Sequence, residues 1–311
     1  MTSENGSANG SAHPSDMETS TSWTPPRTSI FNEAATLINR GGLGSSTHSQ
    51  VQTNSQSSTP SQPQPQELNA ALDIYEKQFL PGQPKSLSGI AIRSFILGLV
   101  LSSTLFLSAY LLYTGRPIWR APFFITILSL FHFLEFYTTA RANTSSARIS
   151  SFLFSSNGSA YTIAHTTSFL ETLLSHYFFP ASVLPTYIHY PILILGLFMV
   201  IIGQVVRAVA MLTAGTNFSH VVKHTKAQSH QLVTTGIYSV FRHPSYFGFF
   251  WWGIGTQLIC GNVLSLLGYT AVLWKFFASR ISGEEELLVK FFGDEYRDYR
   301  QRTRVGIPFI K

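Results

Sequence analysis

Residues 237–260 read IYSVFRHPSYFGFFWWGIGTQLIC, an apolar run that carries its charged side chains close to its beginning. A mostly apolar segment of this length is predicted to be a membrane-spanning helix, because about 20 residues are needed to cross the hydrocarbon core. Polar atoms near a bilayer are costly unless they bind something. The polar side chains at this end of the run therefore mark a candidate functional site.

Pro244 predicts where the helix in this run begins. Proline lacks an amide hydrogen and disfavours helical geometry at the preceding residue, so the helix should begin at Pro244 with His243 outside it. The free N–H groups at Ser245 and Tyr246, with the positive end of the helix dipole, could then hold a polar ligand. In the alternative interpretation, Arg242 and His243 are headgroup-level anchors and the aromatic residues that follow form an interfacial belt.

The composition predicts an all-α integral membrane protein. Of the 311 residues, 45% are hydrophobic and only 12% are charged, which is too apolar for an ordinary soluble domain. The single cysteine, Cys260, excludes an intramolecular disulfide, and the sequence has no Cys/His cluster with zinc-like spacing, so we expect no metal. Basic residues do not alternate with aromatic ones as on a nucleic-acid-binding surface. We therefore expect the protein to contact membrane lipid and to bind no nucleic acid.

The first 88 residues differ from the rest of the chain. They are rich in Ser, Thr, Gln, Asn and Pro, and they contain four Lys and Arg against seven Asp and Glu. Such a segment cannot bury enough apolar surface to offset its ordering entropy, so we expect residues 1–88 to form a disordered tail. A short helix around Leu68 to Phe79 is compatible with the pattern. Residues 89–311 are then the membrane-embedded domain.

Six apolar segments are candidate membrane helices. They lie near residues 90–113, 118–140, 160–180, 186–212, 237–260 and 262–280. The third contains two His, one Glu and several hydroxyls, which leaves an interfacial position open for it. The last two are separated only by Gly261 and Asn262, which predicts a tight helical hairpin.

The distribution of Lys and Arg predicts that both termini lie in the cytosol. Basic residues follow the last segment and occur in the 213–236 connection, on the side that the positive-inside rule places in the cytosol. Arg116 and Arg120, in the first loop, weigh against this topology. Beyond residue 280, apolar residues recur at helical spacing opposite charged ones, which predicts a further cytosolic helix lying at the interface or packed on the hairpin.

Several motifs in the second half of the chain together resemble one family. They are NFSH at 217–220, HQLVTTGIY at 230–238, RHPSYFG at 242–248, the acidic run at 284–286 and GIPFI at 306–310. This combination resembles the isoprenylcysteine carboxyl methyltransferase family, from about residue 203 to the end of the sequence. RHPSYFG alone also occurs, with variations, in phospholipid methyltransferases and in integral-membrane sterol reductases, which are the alternative functions.

The resemblance implies an enzyme of the endoplasmic reticulum membrane. Such an enzyme transfers a methyl group from S-adenosyl-L-methionine to the C-terminal carboxylate of a farnesylated or geranylgeranylated cysteine. The cofactor-binding part would be residues 203–311. Carried over by position, the implied cofactor contacts are His230, Gln231, Leu232, Val233, Tyr238, His243, Pro244, Ser245, Tyr246 and Glu284. Arg280 would meet the substrate carboxylate, and Lys223 stands where animal relatives usually have Gln.

The residue types suit this chemistry. A carboxylate is already ionised at neutral pH, so methyl transfer to it needs orientation and dehydration rather than a general base. Arg280 can hold the carboxylate through directional hydrogen bonds, and Glu284, four residues later, can pair with the ammonium of the cofactor. Alternatively, Arg280 and Glu284 form an ordinary surface ion pair. Arg207 either lines the substrate site or extends toward the headgroups.

Four other ionisable residues receive no functional role from the sequence. His132 and Glu135 could pair with each other within the second span. Glu285, with its neighbour Glu286, is predicted to lie on a solvated face. The absence of GxGxxG after a predicted strand argues against a soluble Rossmann-type methyltransferase. Polar residues gather at one end of the spans, and no inverted repeat occurs, which argues against a channel or transporter.

Overall fold

The computed structural model describes residues 65–154, 156–179, 185–226 and 230–311. The chain divides into two units, residues 1–77 and residues 78–311. The described part of the first unit is one helix, α1 (Pro65–Lys77), which overlaps the short helix expected around Leu68 to Phe79. The remainder of the predicted tail up to residue 64 lies outside the described residues. Its disorder, and the domain boundary at residue 88, stay predictions.

The described part of the second unit is helical. Its α-helices are α2 (Leu87–Tyr113), α3 (Arg120–Ala142), α4 (Gly158–Phe178), α5 (Thr186–Ala214), α6 (Pro244–Cys260), α7 (Leu264–Phe292) and α8 (Asp294–Arg302). Short 3-10 turns occupy Pro117–Trp119, Thr144–Ser146, Ile149–Phe152, Gly215–Asn217 and Gly236–Ser239. The described residues form no β-strand, and Phe241 and Arg304 make one isolated parallel β-bridge. The all-α prediction is confirmed.

Each predicted span coincides with a helix. Three helical segments in the described residues are long and apolar enough to cross a membrane by length and composition: Leu87–Tyr113, Pro117–Ala142 and Tyr187–Asn217. Helices α4, α6 and α7 correspond to the other three predicted spans, and α6 has only 17 residues. The number of six crossings therefore stays a prediction.

The closest helix contact is a backbone contact between α5 and α6. An ideal Cβ added to Gly203 would lie 2.5 Å from the carbonyl oxygen of Gly248, and one added to Gly248 would lie 2.5 Å from the carbonyl oxygen of Gly203. Two turns away, a Cβ added to Gly196 would lie 2.9 Å from the carbonyl oxygen of Gly255, and one added to Gly255 would lie 2.7 Å from the carbonyl oxygen of Gly196. Small residues at such spacing let membrane helices approach closely enough for backbone van der Waals contact.

The polar residues of α4 are satisfied by its neighbours. Ser168 donates to Gln257 Oε1 at 2.7 Å, and Thr172 donates to Asn262 Oδ1 at 3.0 Å. Ser168 and Thr172 are fully buried. Glu171 accepts the amide hydrogens of residues 263, 264 and 265 at 2.7–2.9 Å, so its carboxylate caps the start of α7. The hydroxyls of the third predicted span had been compatible with an interfacial position. In the structure, those of Ser168 and Thr172 join α4 to the α6–α7 hairpin.

The hairpin itself forms as predicted, but its second helix is longer than expected. Gly261 takes the left-handed conformation (φ 72°) that ends α6, and α7 begins three residues later. The prediction of a separate helix directly after residue 280 is wrong, because α7 continues through the acidic run to Phe292; where the membrane span ends within α7 stays a prediction. Only α8, with nine residues, is separate, and its Tyr296 and Tyr299 are buried.

The last residues lie along the outer side of the hairpin. The indole N–H of Trp251 donates to Gly306 O at 3.2 Å, and that of Trp274 donates to Pro308 O at 2.8 Å. Backbone bonds from Arg242 N to Arg304 O (3.0 Å) and from Arg304 N to Val240 O (3.2 Å) join this segment to the chain just before α6. Residues 304–308 are thereby fixed against both α6 and α7.

The α5–α6 contact generates a prediction. Gly203→Ala forces a methyl group into the backbone of α6, so we expect a loss of about 1–3 kcal/mol of stability, as for overpacked cores, and a lower Tm in detergent. Gly98→Ala in α2 is the matched control, since its added Cβ would meet nothing within 4 Å, and it should not lower the Tm. Equal Tm values for the two variants would contradict the close contact.

Candidate active site

A chamber of about 1190 Å³ lies between α4, α6 and α7. Most of its wall is apolar, and several large lining side chains, such as Leu174 and Phe178, are more than half accessible. Its polar end contains Arg207, His220, Ser245, Tyr246 and Arg280. The chamber thus combines a long apolar compartment with a cationic end.

The start of α6 forms one wall of the polar end, as the sequence predicts. His243 has non-helical angles (φ −126°, ψ 59°), and Pro244 is the first residue of the helix. The His243 carbonyl accepts the amide hydrogens of Tyr246 and Phe247 at 3.0 Å each. This turn places Ser245 and Tyr246 against the chamber.

Arg207 is neutralised by a buried carboxylate. Its Nε and Nη2 donate to the two oxygens of Glu135, with 2.8 Å from Nη2 to Oε2, while Nη1 donates to Ser245 Oγ at 2.8 Å and to Ser245 O at 3.2 Å. Glu135 also bonds to His220 Nε2 at 3.0 Å. Glu135 is 1% exposed and Arg207 is 7% exposed. This cluster joins α3, α5, α6 and the 213–236 connection.

The Arg207 cluster corrects two expectations. Arg207 does not extend toward headgroups, because it is buried and fully engaged by protein groups. Glu135 pairs with Arg207 and His220 rather than with His132, which bonds through Nδ1 to Phe152 O at 2.7 Å. The sequence could not show this, because the partners of Glu135 lie 72 and 85 residues further along the chain.

Arg280 lacks a carboxylate partner among the described residues. Its Nε donates to the Tyr246 hydroxyl at 2.9 Å, and its Nη2 donates to His220 O at 2.5 Å. The Tyr246 hydroxyl donates in turn to Glu284 Oε2 at 2.5 Å. The direct Arg280–Glu284 ion pair considered from the sequence is therefore replaced by a bridge through Tyr246. Arg280 is fixed in orientation but remains an uncompensated cation at the chamber.

The prediction of a solvated Glu285 is wrong. This carboxylate is 4% exposed and holds three cationic or ring groups: Arg242 Nε at 2.5 Å, His243 Nε2 at 3.3 Å and Arg300 Nε at 3.2 Å. Burial alone would raise the pKa of Glu285, but the hydrogen bonds from His243 and Arg242, together with their charges, outweigh burial and lower that pKa. Arg242 is likewise buried, which excludes a headgroup-anchor role for it.

The 230–233 segment lies beside the end of α7. The His230 ring makes edge contacts with Phe291 and Phe292, at centroid distances of 6.2 and 5.6 Å. Burial and the charges of the nearby Lys223 and Lys226 lower the pKa of His230. Its Nδ1 is buried and has no hydrogen-bond partner among the described residues. A neutral ring with an unsatisfied buried nitrogen is a feature that a polar ligand could satisfy.

The structure gathers only part of the predicted site around the chamber. Ser245, Tyr246, Arg207 and Arg280 line it, and Glu284 reaches it through the Tyr246 hydroxyl. The other predicted contacts lie behind this wall or beside α7. Gln231 N donates to Asn217 Oδ1 at 3.0 Å, and the Tyr238 hydroxyl donates to Ala210 O at 3.3 Å. Glu135, His220 and Glu285 also belong to these clusters, although the sequence predicted no individual role for them.

The fold and the chamber define a class: a helical protein with segments apolar enough to cross a membrane and a chamber that is apolar except for a cationic end. A sequence model described as the isoprenylcysteine carboxyl methyltransferase (ICMT) family matches residues 194–290. Protein-S-isoprenylcysteine O-methyltransferase of Saccharomyces cerevisiae is 45% identical over 223 residues, covering 71% of this chain and 91% of that protein. The Homo sapiens protein of the same name is 41% identical, covering 71% and 75%.

A solved structure gives the same result. A structure described as the eukaryotic intramembrane Ras methyltransferase ICMT, without a monobody, is similar with a TM-score of 0.66 at 40% identity, covering 78% of this chain and 84% of that one. The chain belongs to the isoprenylcysteine carboxyl methyltransferase family. The resemblance seen in the motifs is confirmed, and these comparisons do not favour the phospholipid methyltransferase and sterol reductase alternatives.

The Glu285 cluster predicts a pH-dependent loss of stability. Because the folded pKa lies below the ordinary value of 4.5, the stabilisation is present above that pH and is lost as the pH falls through the folded pKa. Glu285→Gln leaves buried cations without their carboxylate, so we expect a loss of about 3–5 kcal/mol at neutral pH. The Tm difference from the parent protein should shrink in acid.

The control for Glu285→Gln is Glu286→Gln, on the same turn of α7 but exposed. It should change the Tm little at any pH. Thermal unfolding in detergent across the acid range measures both variants. A Glu285→Gln deficit that stays constant down to low pH would contradict an ionised carboxylate at this position.

Proposed function

We propose that this protein methylates the C-terminal α-carboxylate of a prenylated cysteine, giving a methyl ester, with S-adenosyl-L-methionine as the methyl donor. The observation that carries the proposal is Arg280, an uncompensated guanidinium at the polar end of an apolar chamber. Membership of the family, in which relatives are named protein-S-isoprenylcysteine O-methyltransferase, supports it.

The apolar compartment suits the prenyl chain. Its volume of about 1190 Å³ exceeds the roughly 300–1,000 Å³ of most small-molecule pockets, as a farnesyl or geranylgeranyl chain would require. Large accessible apolar side chains of α4, among them Leu170 and Leu174, line this compartment and would suit entry of a prenyl chain from lipid. A prenyl chain can then enter from the bilayer while the carboxylate reaches the polar end.

Arg280 would hold the carboxylate. The guanidinium has five N–H donors, and the hydrogen bonds of the described residues use its Nε and one donor of Nη2. The bonds to Tyr246 and His220 fix the plane of the fork, so its remaining donors are already oriented for a carboxylate. Because the carboxylate arrives ionised, the protein needs no general base here. Arg207, already neutralised by Glu135, would line the site and position Ser245.

S-adenosyl-L-methionine, when bound, supplies an electrophilic methyl group on a sulfonium. Two observations fit such a ligand: Glu284 has no ion-pair partner among the described residues and could take an ammonium group, and the buried His230 Nδ1 lacks a hydrogen-bond partner there. Residues 230–233, Tyr238 and residues 243–246 would complete the site. His243 and Tyr238 are already bonded to Glu285 and Ala210, so we assign them packing and support rather than polar contacts.

We place the protein in the endoplasmic reticulum membrane with both ends of the chain in the cytosol. The support is the family and the concentration of Lys and Arg after residue 274 and in the 213–236 connection. On this topology, the polar end of the chamber lies near the cytosolic surface. A water-soluble cofactor and a lipid-borne substrate could then meet there.

The first functional prediction concerns Arg280. Arg280→Ala should lower kcat/KM roughly a hundredfold or more, since losing one preorganised charged donor costs about 2–4 kcal/mol in the transition state. Arg280→Lys keeps the charge but not the fork, so it should recover only part of the activity. Cofactor Kd, measured by titration calorimetry, should change much less than kcat/KM. Methylation of a prenylcysteine analogue in nanodiscs gives the kinetics.

Near-parental turnover in Arg280→Ala would remove Arg280 from the mechanism and leave Arg207 as the other guanidinium at the chamber. A parental protein that binds S-adenosyl-L-methionine but methylates phospholipid rather than the prenylcysteine analogue would overturn the proposed substrate.

A second prediction concerns Glu135. It binds Arg207 directly, and it binds the ring of His220, whose carbonyl accepts from Arg280. Glu135→Gln should lower the Tm and kcat/KM together, because it leaves Arg207 buried without its counter-charge. His220→Ala removes the ring contact to Glu135 but keeps the Arg207 pair, so it should lower kcat/KM through a less fixed Arg280 with a smaller loss of Tm. Parallel losses of Tm and activity in both variants would indicate a purely structural role for His220.

A further inference from the structure

A second cavity lies apart from the chamber, between α8, the end of α7 and residues 303–311. Its volume is about 810 Å³. Five of its lining side chains are cationic: Arg242, Arg297, Arg300, Arg304 and Lys311. No Asp or Glu lines it. A concave surface of this composition favours an anionic ligand.

The carboxylates around this cavity are too few to neutralise it. Glu285 lies behind the wall and pairs with Arg242 and Arg300, and Asp294 pairs with Arg297 at 2.5 Å. Among the ion pairs of the described residues, none involves Arg304 or Lys311. Two side-chain carboxylates thus face five cationic side chains. The cavity keeps a positive charge although part of its wall is internally paired.

The backbone holds the cavity in shape. Arg304 lies in the β-bridge with Phe241, and Arg242 donates from Nη1 to Thr303 O at 3.0 Å. Val305 and Ile307 are buried beside it. The cationic side chains therefore extend from a fixed segment rather than from a loose end, which reduces the ordering cost of binding an anion.

The same segment contacts both helices of the hairpin. Trp251, which binds Gly306 O, lies seven residues into α6, about 10 Å along the helix at 1.5 Å per residue. Phe309, three residues after Gly306, is 93% exposed. A large exposed aromatic side chain next to tryptophans on this face belongs in lipid. The basic cavity then opens at the level of the headgroups.

We propose that this cavity binds the phosphorylated headgroup of an anionic membrane lipid. Arginine forks match phosphate oxygens in geometry and charge, and basic pockets beside membrane helices recognise such headgroups. Phe309 and the partly buried Ile310 would contact the acyl chains. A free phosphorylated molecule shares the headgroup chemistry but would gain nothing from these apolar side chains, so the lipid is the favoured ligand.

The test uses the full chain in neutral detergent, titrated with phosphatidylinositol phosphate and followed by native mass spectrometry of the bound lipid. Arg304→Gln with Lys311→Gln removes two cavity charges and should weaken lipid binding roughly tenfold to thirtyfold. The matched control is Arg302→Gln with Lys290→Gln, which removes the same charge from exposed positions outside the cavity. It should bind the lipid as the parent protein does.

Competition experiments distinguish a lipid headgroup from a soluble phosphate or an acidic protein segment as the ligand of the cavity. Soluble inositol phosphate and polyglutamate should displace the lipid only weakly, and Phe309→Ser should weaken lipid binding without affecting inositol phosphate binding. Equal losses in the cavity and control variants would reduce the effect to general surface charge and overturn the proposal. Full displacement by inositol phosphate would reassign the cavity to a soluble ligand, and full displacement by polyglutamate would reassign it to an acidic protein segment.

Discussion

The backbone contact between α5 and α6 is the constraint on which the site depends. Gly248 touches Gly203 and also Arg207: an added Cβ at Gly248 would lie 2.9 Å from Arg207 N and 3.0 Å from Arg207 Cβ. The absence of side chains at these glycines lets Arg207 approach α6 closely enough to bond both the hydroxyl and the carbonyl of Ser245. Any wider helix separation would pull Arg207 away from the start of α6, and the polar end of the chamber would lose one wall.

Two buried carboxylates near that contact pair with several cationic side chains, while Arg280 has no carboxylate partner among the described residues. Glu135 takes Arg207 and His220, and Glu285 takes Arg242, His243 and Arg300, so each acid joins segments that are distant in the sequence. Buried ions of this kind are tolerated only when the remaining polar atoms are also bonded. The half-buried Arg280 instead has a hydroxyl and a carbonyl as its described partners. Of the two arginines that line the chamber, Arg207 is paired with a carboxylate and Arg280 is not.

The sequence predicted the elements whose signals are local. Pro244 marked the start of α6, Gly261 marked the turn of the hairpin, and apolar runs marked the long helices. The end of α7 was misjudged, because the loss of apolar residues near residue 280 was taken as the end of the helix although the acidic run continues it to Phe292. Apart from Glu285 with Arg300, the pairings of Glu135 and Glu285 join residues 42 to 85 positions apart, and no single sequence reveals such pairs. The sequence did contain one signal of this contact: glycines recur seven residues apart in two helices, at 196 and 203 and at 248 and 255. This repeat indicates close packing only once the two helices are known to be neighbours.

Tyr246 lies between the groups proposed for the substrate and for the cofactor, since one hydroxyl accepts from Arg280 and donates to Glu284. On the proposed function, an ammonium group at Glu284 would compete for the carboxylate oxygen that the tyrosine proton occupies, while a carboxylate on the remaining donors of Arg280 would draw on the guanidinium that also donates to the hydroxyl. Each event would change what the hydroxyl offers to the other side. The affinities of the two ligands would then be linked through this hydroxyl, and by thermodynamic reciprocity each would alter the other by the same factor. A shared hydroxyl of this kind would let the binding of one ligand depend on the presence of the other.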